Sequence, residues 1–175
     1  FYYTKSKNMK VIFCVGISGS GKSTWATRYI KTHPNTIRIN RDDIRVGLVG
    51  NLEGYYKRPD LNKSEKAVTE IEVSMFQMAA RLGFDVISDN TNLKMAYIST
   101  KISMMRGYCG DMGEAFDFKI KMFYLDGPSC KKRVQARDAV FDASHVDSID
   151  KQWVSFQNTE REINLRWKNR LIDEP

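Results

Sequence analysis

Gly16, Gly21, Lys22 and Ser23 stand in the order G-x-x-x-x-G-K-[ST] within the stretch GISGSGKST. Glycines at that spacing let the backbone fold tightly, so that successive N–H groups converge on one point and form an anion site. A helix that starts there adds the positive partial charge of its amino terminus. The lysine then reaches the β- and γ-phosphates of a nucleoside triphosphate, and the serine hydroxyl is placed to ligate Mg²⁺. The stretch Gly16, Ser18, Gly19, Ser20, Gly21, Lys22, Ser23 and Thr24 is therefore expected to bind the nucleotide. The loop does not say what receives the phosphate.

Three further segments offer acceptor or transition-state chemistry. The first is NRDDIR, Asn40 to Arg45. A carboxylate there can take the proton of an attacking hydroxyl, as phosphoryl transfer requires. Arg45, one helical turn on, can hold a phosphate near the acceptor. Alternatively, Asp42 or Asp43 caps a short helix. The second segment is DVISDNTNL, with Asp89 at the end of an apolar run. Asp89 can bind a Mg²⁺-coordinated water and Asn92 can orient the loop or the acceptor; capping of the next helix by Thr91 or Asn92 is the alternative. The third is CKKRVQARD, which puts Arg133 and Arg137 four apart on one helix face. Such a face is either a lid whose arginines stabilise charge as phosphate moves, or a solvated basic surface.

The elements that must position these residues follow from periodicity. Short apolar, β-prone runs predict strands over 10–15, 36–40, 85–89 and 116–125. Helices are expected over 22–32, 41–49, 62–82, 93–106, 127–137 and 148–171. Asn51 to Asp60 reads as a loop, and Gly107 to Glu114, with three glycines, as a turn region. On the long helix, Val68, Ile71, Met75, Met78 and Leu82 make one apolar stripe; on the last, Ile149, Trp153, Phe156, Ile163 and Trp167 do so. Both stripes are expected to pack in the core. Alternating strands and helices predict an α/β fold with a central parallel sheet of four to five strands, helices on both faces and a helical lid. In such a sheet ligands sit beyond the carboxyl ends of the strands. The end of the second strand is accordingly expected beside the loop that ends the first.

With 175 residues, 42% hydrophobic and 28% charged, the chain has the composition of a globular protein and reads as a single domain over 9–175. Phe1 to Asn8 reads as a tag remnant or an N-terminal extension, since Met9 begins the first apolar run. No apolar run is long enough to span a bilayer, so no membrane role is expected. Three cysteines at no metal-ligand spacing fit a reducing, cytoplasmic setting. The net charge of +7 favours a polyanionic partner.

In order and spacing, MKVIFCVGISGSGKSTW, INRDDIR, ISDNTNL and KKRVQARD resemble the kinase domain of the phage polynucleotide 5′-kinase/3′-phosphatase family, from Met9 to about Phe156. INRDD is the most specific piece. The resemblance implies an ATP- and Mg²⁺-dependent transfer of the γ-phosphate to the 5′-hydroxyl end of DNA or RNA. It implies Lys22, Asp42 and Arg137 as catalytic, with Asp42 the base. Arg133 and Arg137 would contact the donor, Ser23 and Asp89 the metal, and Arg41, Asp42, Arg45, Asp89 and Asn92 the acceptor side. The host cytoplasm is the implied setting for a phage protein. Three departures stand out. There is no DxDGT-type phosphatase motif, ISDNTNL is one residue longer than the phage pattern, and AVFDASHVDSID beside the lid differs. Two other readings share the Walker loop: a small-molecule kinase acting on a nucleoside, nucleotide or sugar, and a nucleic-acid-binding NTPase without an acceptor. Tyr55, Tyr56, Lys57 and Arg58 either join an end-recognition surface or pack as a surface loop.

Overall fold

A computed structural model describes residues 8–138 and 143–173. The expected extension, apart from Asn8, lies outside these, as do residues 139–142 of the stretch beside the lid. Four parallel strands form one sheet: β1 (Met9–Val15), β2 (Thr36–Ile39), β3 (Asp85–Ser88) and β4 (Phe116–Met122). Their order is β2-β3-β1-β4. Strand β3 lies between β1 and β2, with Ile12 and Arg38 both paired to Ile87 from opposite sides, so the end of β2 is one strand removed from the loop that ends β1.

Side chains alternate across each strand, and the two faces receive different helices. Val11, Phe13 and Val15 point into the larger core, with Val86, Phe76, Ile98, Met105 and Phe156. Ile12 and Cys14 point the other way, against Trp25, Ala26 and Tyr29 of α1 (Lys22–Thr32). The larger face is covered by α4 (Leu61–Arg81), α5 (Met95–Asp111) and α7 (Ala143–Arg166). Helices α2 (Arg41–Val49), α3 (Leu52–Tyr56) and α6 (Gly127–Arg137) rim the carboxyl ends of the strands. A 3₁₀ turn over Lys168–Arg170 brings Leu171 alongside Ile120 at the β4 edge.

Four expectations change. Asn51 to Asp60 is not all loop: the Asn51 side chain accepts the N–H of Gly54 and starts α3. The third long helix does not stop at Arg106 but continues through Gly107 and Gly110 to Asp111, and the chain turns at Gly113. The apolar stripe of α4 is displaced. Its buried face carries Ser64, Val68, Glu72, Phe76, Ala79 and Ala80, whereas Ile71, Met78 and Leu82 are exposed. The last helix runs over 143–166 rather than 148–171 and keeps its stripe, with Ile149, Phe156 and Ile163 buried and Trp153 half-buried; Trp167 packs half-buried just past its end.

Phe76 is fully buried and Leu82 is 61% exposed. Phe76→Ala should cost about 3–5 kcal/mol in urea unfolding, and Leu82→Ala no more than about 0.5 kcal/mol. Equal losses would show that α4 buries the other stripe.

Candidate active site

Beyond the carboxyl ends of β1, β2 and β3 lies one cleft of about 960 Å³. It is lined by Ser18, Gly19, Gly21, Lys22, Ser23 and Thr24 from the loop and α1, by Arg41, Asp42 and Arg45 from α2, by Asp89 and Asn92 after β3, and by Arg133 and Arg137 from α6. Of the residues expected to act, only Gly16 and Ser20 are not on its wall; both are buried beneath the loop.

The loop's tight path has a steric reason. Gly19 has φ +82, and a Cβ there would stand 2.8 Å from the carbonyl oxygen of Cys130. A Cβ on Gly16 would stand 2.9 Å from that of Phe123. The loop is thus packed directly against α6 and the end of β4. The Gly16 N–H donates to the Thr91 carbonyl (3.1 Å), and the Ser18 N–H to Oε1 of Gln152 on α7 (2.8 Å). Lys22 folds back over the loop and donates to the Ile17 carbonyl at 2.8 Å. Burial holds its ammonium pKa below the ordinary lysine range.

Neither aspartate caps α2. That role belongs to Asn40, whose Oδ1 accepts the N–H groups of Asp42 (2.8 Å) and Asp43 (3.1 Å). The two carboxylates then part company. Asp43 is paired with Arg38 at 2.5 Å, and Asp42 faces the cleft, where its Oδ1 lies 2.7 Å from Arg45 Nη1. Arg45 is held by a two-point pair with Glu65, at 2.8 and 2.9 Å, and its guanidinium lies 5.7 and 5.8 Å from the ring centres of Tyr55 and Tyr56. The Arg45 hydrogen bonds bring the Glu65 carboxyl down to about 2. Tyr55 is buried and Tyr56 joins the cleft wall; Lys57 and Arg58 pair locally with Glu53 and Asp60 on the surface.

Asp89 is fully buried. Its Oδ2 accepts from Arg38 Nε at 2.6 Å, and its Oδ1 has no hydrogen-bond partner. Such an orphaned carboxylate oxygen, in the cleft that the exposed Ser23 also lines, suits a hydrated cation with Ser23 as the other ligand. Among the described residues no group of three or more His, Cys, Asp or Glu could form a cage by itself. Asn92 does not reach outward. With φ 48 it is buried, and its Nδ2 donates to the Cys14 carbonyl at 2.8 Å, so it orients the loop. Neither it nor Thr91 caps α5, whose N-cap is Lys94.

Arg133 and Arg137 are exposed on the cleft-facing side of α6. Arg137 is paired with Asp138 at 2.7 Å.

Sequence reasoning missed Arg38, Glu65, Glu72, Asn90, Lys101 and Gln152. Glu72 left a signal: it stands midway between Val68 and Phe76, four residues from each, on the buried face of α4. It accepts from Asn90 Nδ2 (2.8 Å), Lys101 Nζ (2.6 Å) and Arg41 Nη1 (2.9 Å). Burial pushes the Lys101 ammonium below its ordinary range.

Comparison with known proteins agrees with the motifs. A curated relative, named as a bifunctional polynucleotide kinase/RNA ligase of Autographa californica nuclear polyhedrosis virus, is 38% identical over 95 residues, which is 50% of this chain and 13% of that protein. A chain of the Pnkp1/Rnl/Hen1 RNA repair complex superposes with a TM-score of 0.66 at 23% identity, over 91% of this chain and 48% of that one. A second structure of the Pnkp1/Rnl/Hen1 complex gives 0.61 at 25% identity, over 82% and 44%. A chain of the PezAT toxin–antitoxin system of Streptococcus pneumoniae gives 0.65 at 15% identity, over 93% and 67%. The chain thus spans about half the length of the repair-complex chains and a smaller part of the viral relative. These likenesses establish the P-loop kinase fold and bear out the resemblance to polynucleotide kinases. A family model described as AAA domain matches residues 11–158, so this chain, with its Walker loop at the mouth of a parallel sheet, belongs to that family.

Proposed function

We propose that this domain transfers the γ-phosphate of ATP to the 5′-hydroxyl end of DNA or RNA. The observation that carries the reading is the placement of Asp42 and Arg45, one helical turn apart on α2, across one cleft from Lys22 and the α6 arginines. The acceptor oxygen bonds to the γ-phosphorus, and the bond from that phosphorus to the β–γ bridging oxygen breaks, releasing ADP. Asp42 takes the hydroxyl proton. Lys22, Arg133 and Arg137 offset the charge on the donor phosphates. Mg²⁺, held by Ser23 and through water by Asp89, would supply further charge neutralisation when bound.

Arg45 links acceptor binding to the base. Glu65 fixes two of its nitrogens, leaving Nη1 on Asp42. An acceptor phosphate competes for Nη1, and the exchange frees the Asp42 carboxylate for the hydroxyl proton. Tyr55 and Tyr56, flanking the same guanidinium, keep it in place as its partner changes. The positive net charge suits a polyanionic acceptor, and the three buried free cysteines suit a cytoplasmic setting.

The reading is tested with γ-labelled ATP, Mg²⁺ and three acceptors: a 5′-hydroxyl oligonucleotide, its 5′-phosphorylated twin, and a mixture of nucleosides and mononucleotides. Label should enter the first alone. Label only in the mixture would mean a small-molecule kinase, and ATP hydrolysis without transfer an NTPase. Asp42→Asn should lower kcat by about 10²–10⁴-fold with ATP binding retained. Turnover kept by the folded variant would remove Asp42 from the reaction. Arg45→Ala should raise the acceptor KM by about 10–100-fold, the worth of a hydrogen bond to a charged group. An unchanged acceptor KM would assign the phosphate contact elsewhere.

A further inference from the structure

Glu72 is 2% exposed, ionic and on the floor of the cleft, yet it has no part in the transfer set out above. We propose that Glu72 and Asn90 form a positioning pair that sets the amino terminus of α2, and with it Asp42, relative to the donor half of the cleft. This rests on the kinase reading.

The two residues close a ring on Arg41. Asn90 Oδ1 accepts the main-chain N–H of Arg41, the first residue of α2, at 2.9 Å. Asn90 Nδ2 donates to Glu72 Oε1 at 2.8 Å. Glu72 Oε2 accepts from Nη1 of the same Arg41 at 2.9 Å. Arg41 is therefore fixed by its backbone and its side chain, immediately before Asp42. A further tie runs from Asn40 Nδ2 to the main-chain oxygen of Asp89. The end of β3, which carries Asp89, is thereby joined to the start of α2 by adjacent residues of both segments.

Asn90 lies in ISDNTNL, the segment that runs one residue longer than the phage pattern. Its amide orientation is dictated by its neighbours, because an N–H of Arg41 needs an acceptor and a carboxylate of Glu72 needs a donor.

Charge balance is the competing explanation. Lys101 Nζ also donates to Glu72 Oε1, at 2.6 Å, and a buried ammonium needs an anion. The two roles differ in what Glu72→Gln does. Both oxygens of Glu72 accept from donors, Asn90 and Lys101 on one and Arg41 on the other. Whichever way the glutamine amide turns, its NH₂ meets a donor and the ring opens. Removing the Lys101 charge as well restores the charge balance but does not close the ring.

The test uses steady-state kinetics on the 5′-hydroxyl oligonucleotide, with thermal unfolding of each variant as the fold control. Asn90→Ala and Glu72→Gln should each lower kcat about tenfold to a hundredfold, the cost of a catalytic group displaced by about an ångström, with the ATP KM little changed. The double variant E72Q/K101M should stay slow. Asn90→Ala added to Asp42→Asn should cost nothing further, because Asn90 acts through Asp42. Wild-type kcat in Asn90→Ala overturns the proposal, and so does recovery in E72Q/K101M or a full additional loss in the D42N background. A wild-type protein that labels no oligonucleotide overturns the kinase reading and the proposal with it, which separates the two failures.

Discussion

An ionised group taken out of water must meet an opposite charge or enough hydrogen bonds to replace its hydration, and this constraint shapes the cleft more than any other. Its carboxylates are matched one by one. Asp89 is held by Arg38, Glu72 by Arg41 and Lys101, and Glu65 by Arg45 and Arg41. The pairing adds little net stability, because desolvation offsets most of the Coulomb gain. It adds geometry instead. Arg38, Arg41 and Arg45 are each oriented by carboxylates of the protein itself, so this part of the site is assembled before any phosphate enters. Dipoles and charges fixed in advance do not have to reorganise while charge moves between donor and acceptor.

The strand order explains why so many of these pairs involve β3. With β3 between β1 and β2, its carboxyl end separates the phosphate loop from the α2 aspartates. The residues just after it serve both neighbours. Toward β1, the Thr91 carbonyl takes the Gly16 N–H, and Asn92 donates to Cys14. Toward β2, Asp89 takes Arg38, and Asn90 takes Arg41. A single stretch of four residues thus sets the distance between the nucleotide site and the proposed base. The sequence predicts the end of β2 beside the loop that ends β1; β3 separates them, yet both line one cleft, because ligands gather at strand ends regardless of which strand lies between.

What could be read in the sequence, and what could not, follows from how local each signal is. The strand–loop–helix unit from Met9 to Thr32 is specified by short-range chemistry: an apolar run, glycines at fixed spacing, then helix formers ended before a proline. Arg41 to Val49 and Gly127 to Arg137 were legible as helices too, although the cap of the first is Asn40 and not Asp42 or Asp43. The buried face of helix α4 was not. Its residues support two stripes, and hydrophobicity favours the one through Ile71, Met78 and Leu82. The fold buries the stripe through Val68, Glu72 and Phe76, where Phe76, Ala79 and Ala80 enter the core and Glu72 meets Arg41, Asn90 and Lys101. Those partners lie 18 to 31 positions away in the chain, beyond the reach of any periodicity argument. Gly107 and Gly110 misled in the opposite direction: glycine weakens a helix by about 1 kcal/mol per residue, and here packing of Met105 and Cys109 against the sheet overrides that preference.

The phosphate loop itself shows how a flexible sequence is made rigid without losing its donors. Three of its N–H groups are engaged by the protein, and they alternate along the chain. Gly16 donates to Thr91, Ser18 to Gln152, and Ser20 to the Ile17 carbonyl. Gly19, between the last two, is fixed by contact, since the Cys130 carbonyl occupies the place of a side chain. The first turn of α1 follows, where Trp25 is the first residue to donate back, to Gly21. The N–H groups of Lys22, Ser23 and Thr24 precede that bond and have no acceptor within the helix. Anchoring alternate residues thus holds the curve of the loop, and the donors at its closed end are left for an anion. Gln152 links this arrangement to α7. It rises from α7, whose Asp150 also pairs with Lys131 of α6. The helix that carries Arg133 and Arg137 and the loop that binds the nucleotide are consequently braced by the same helix, two residues apart.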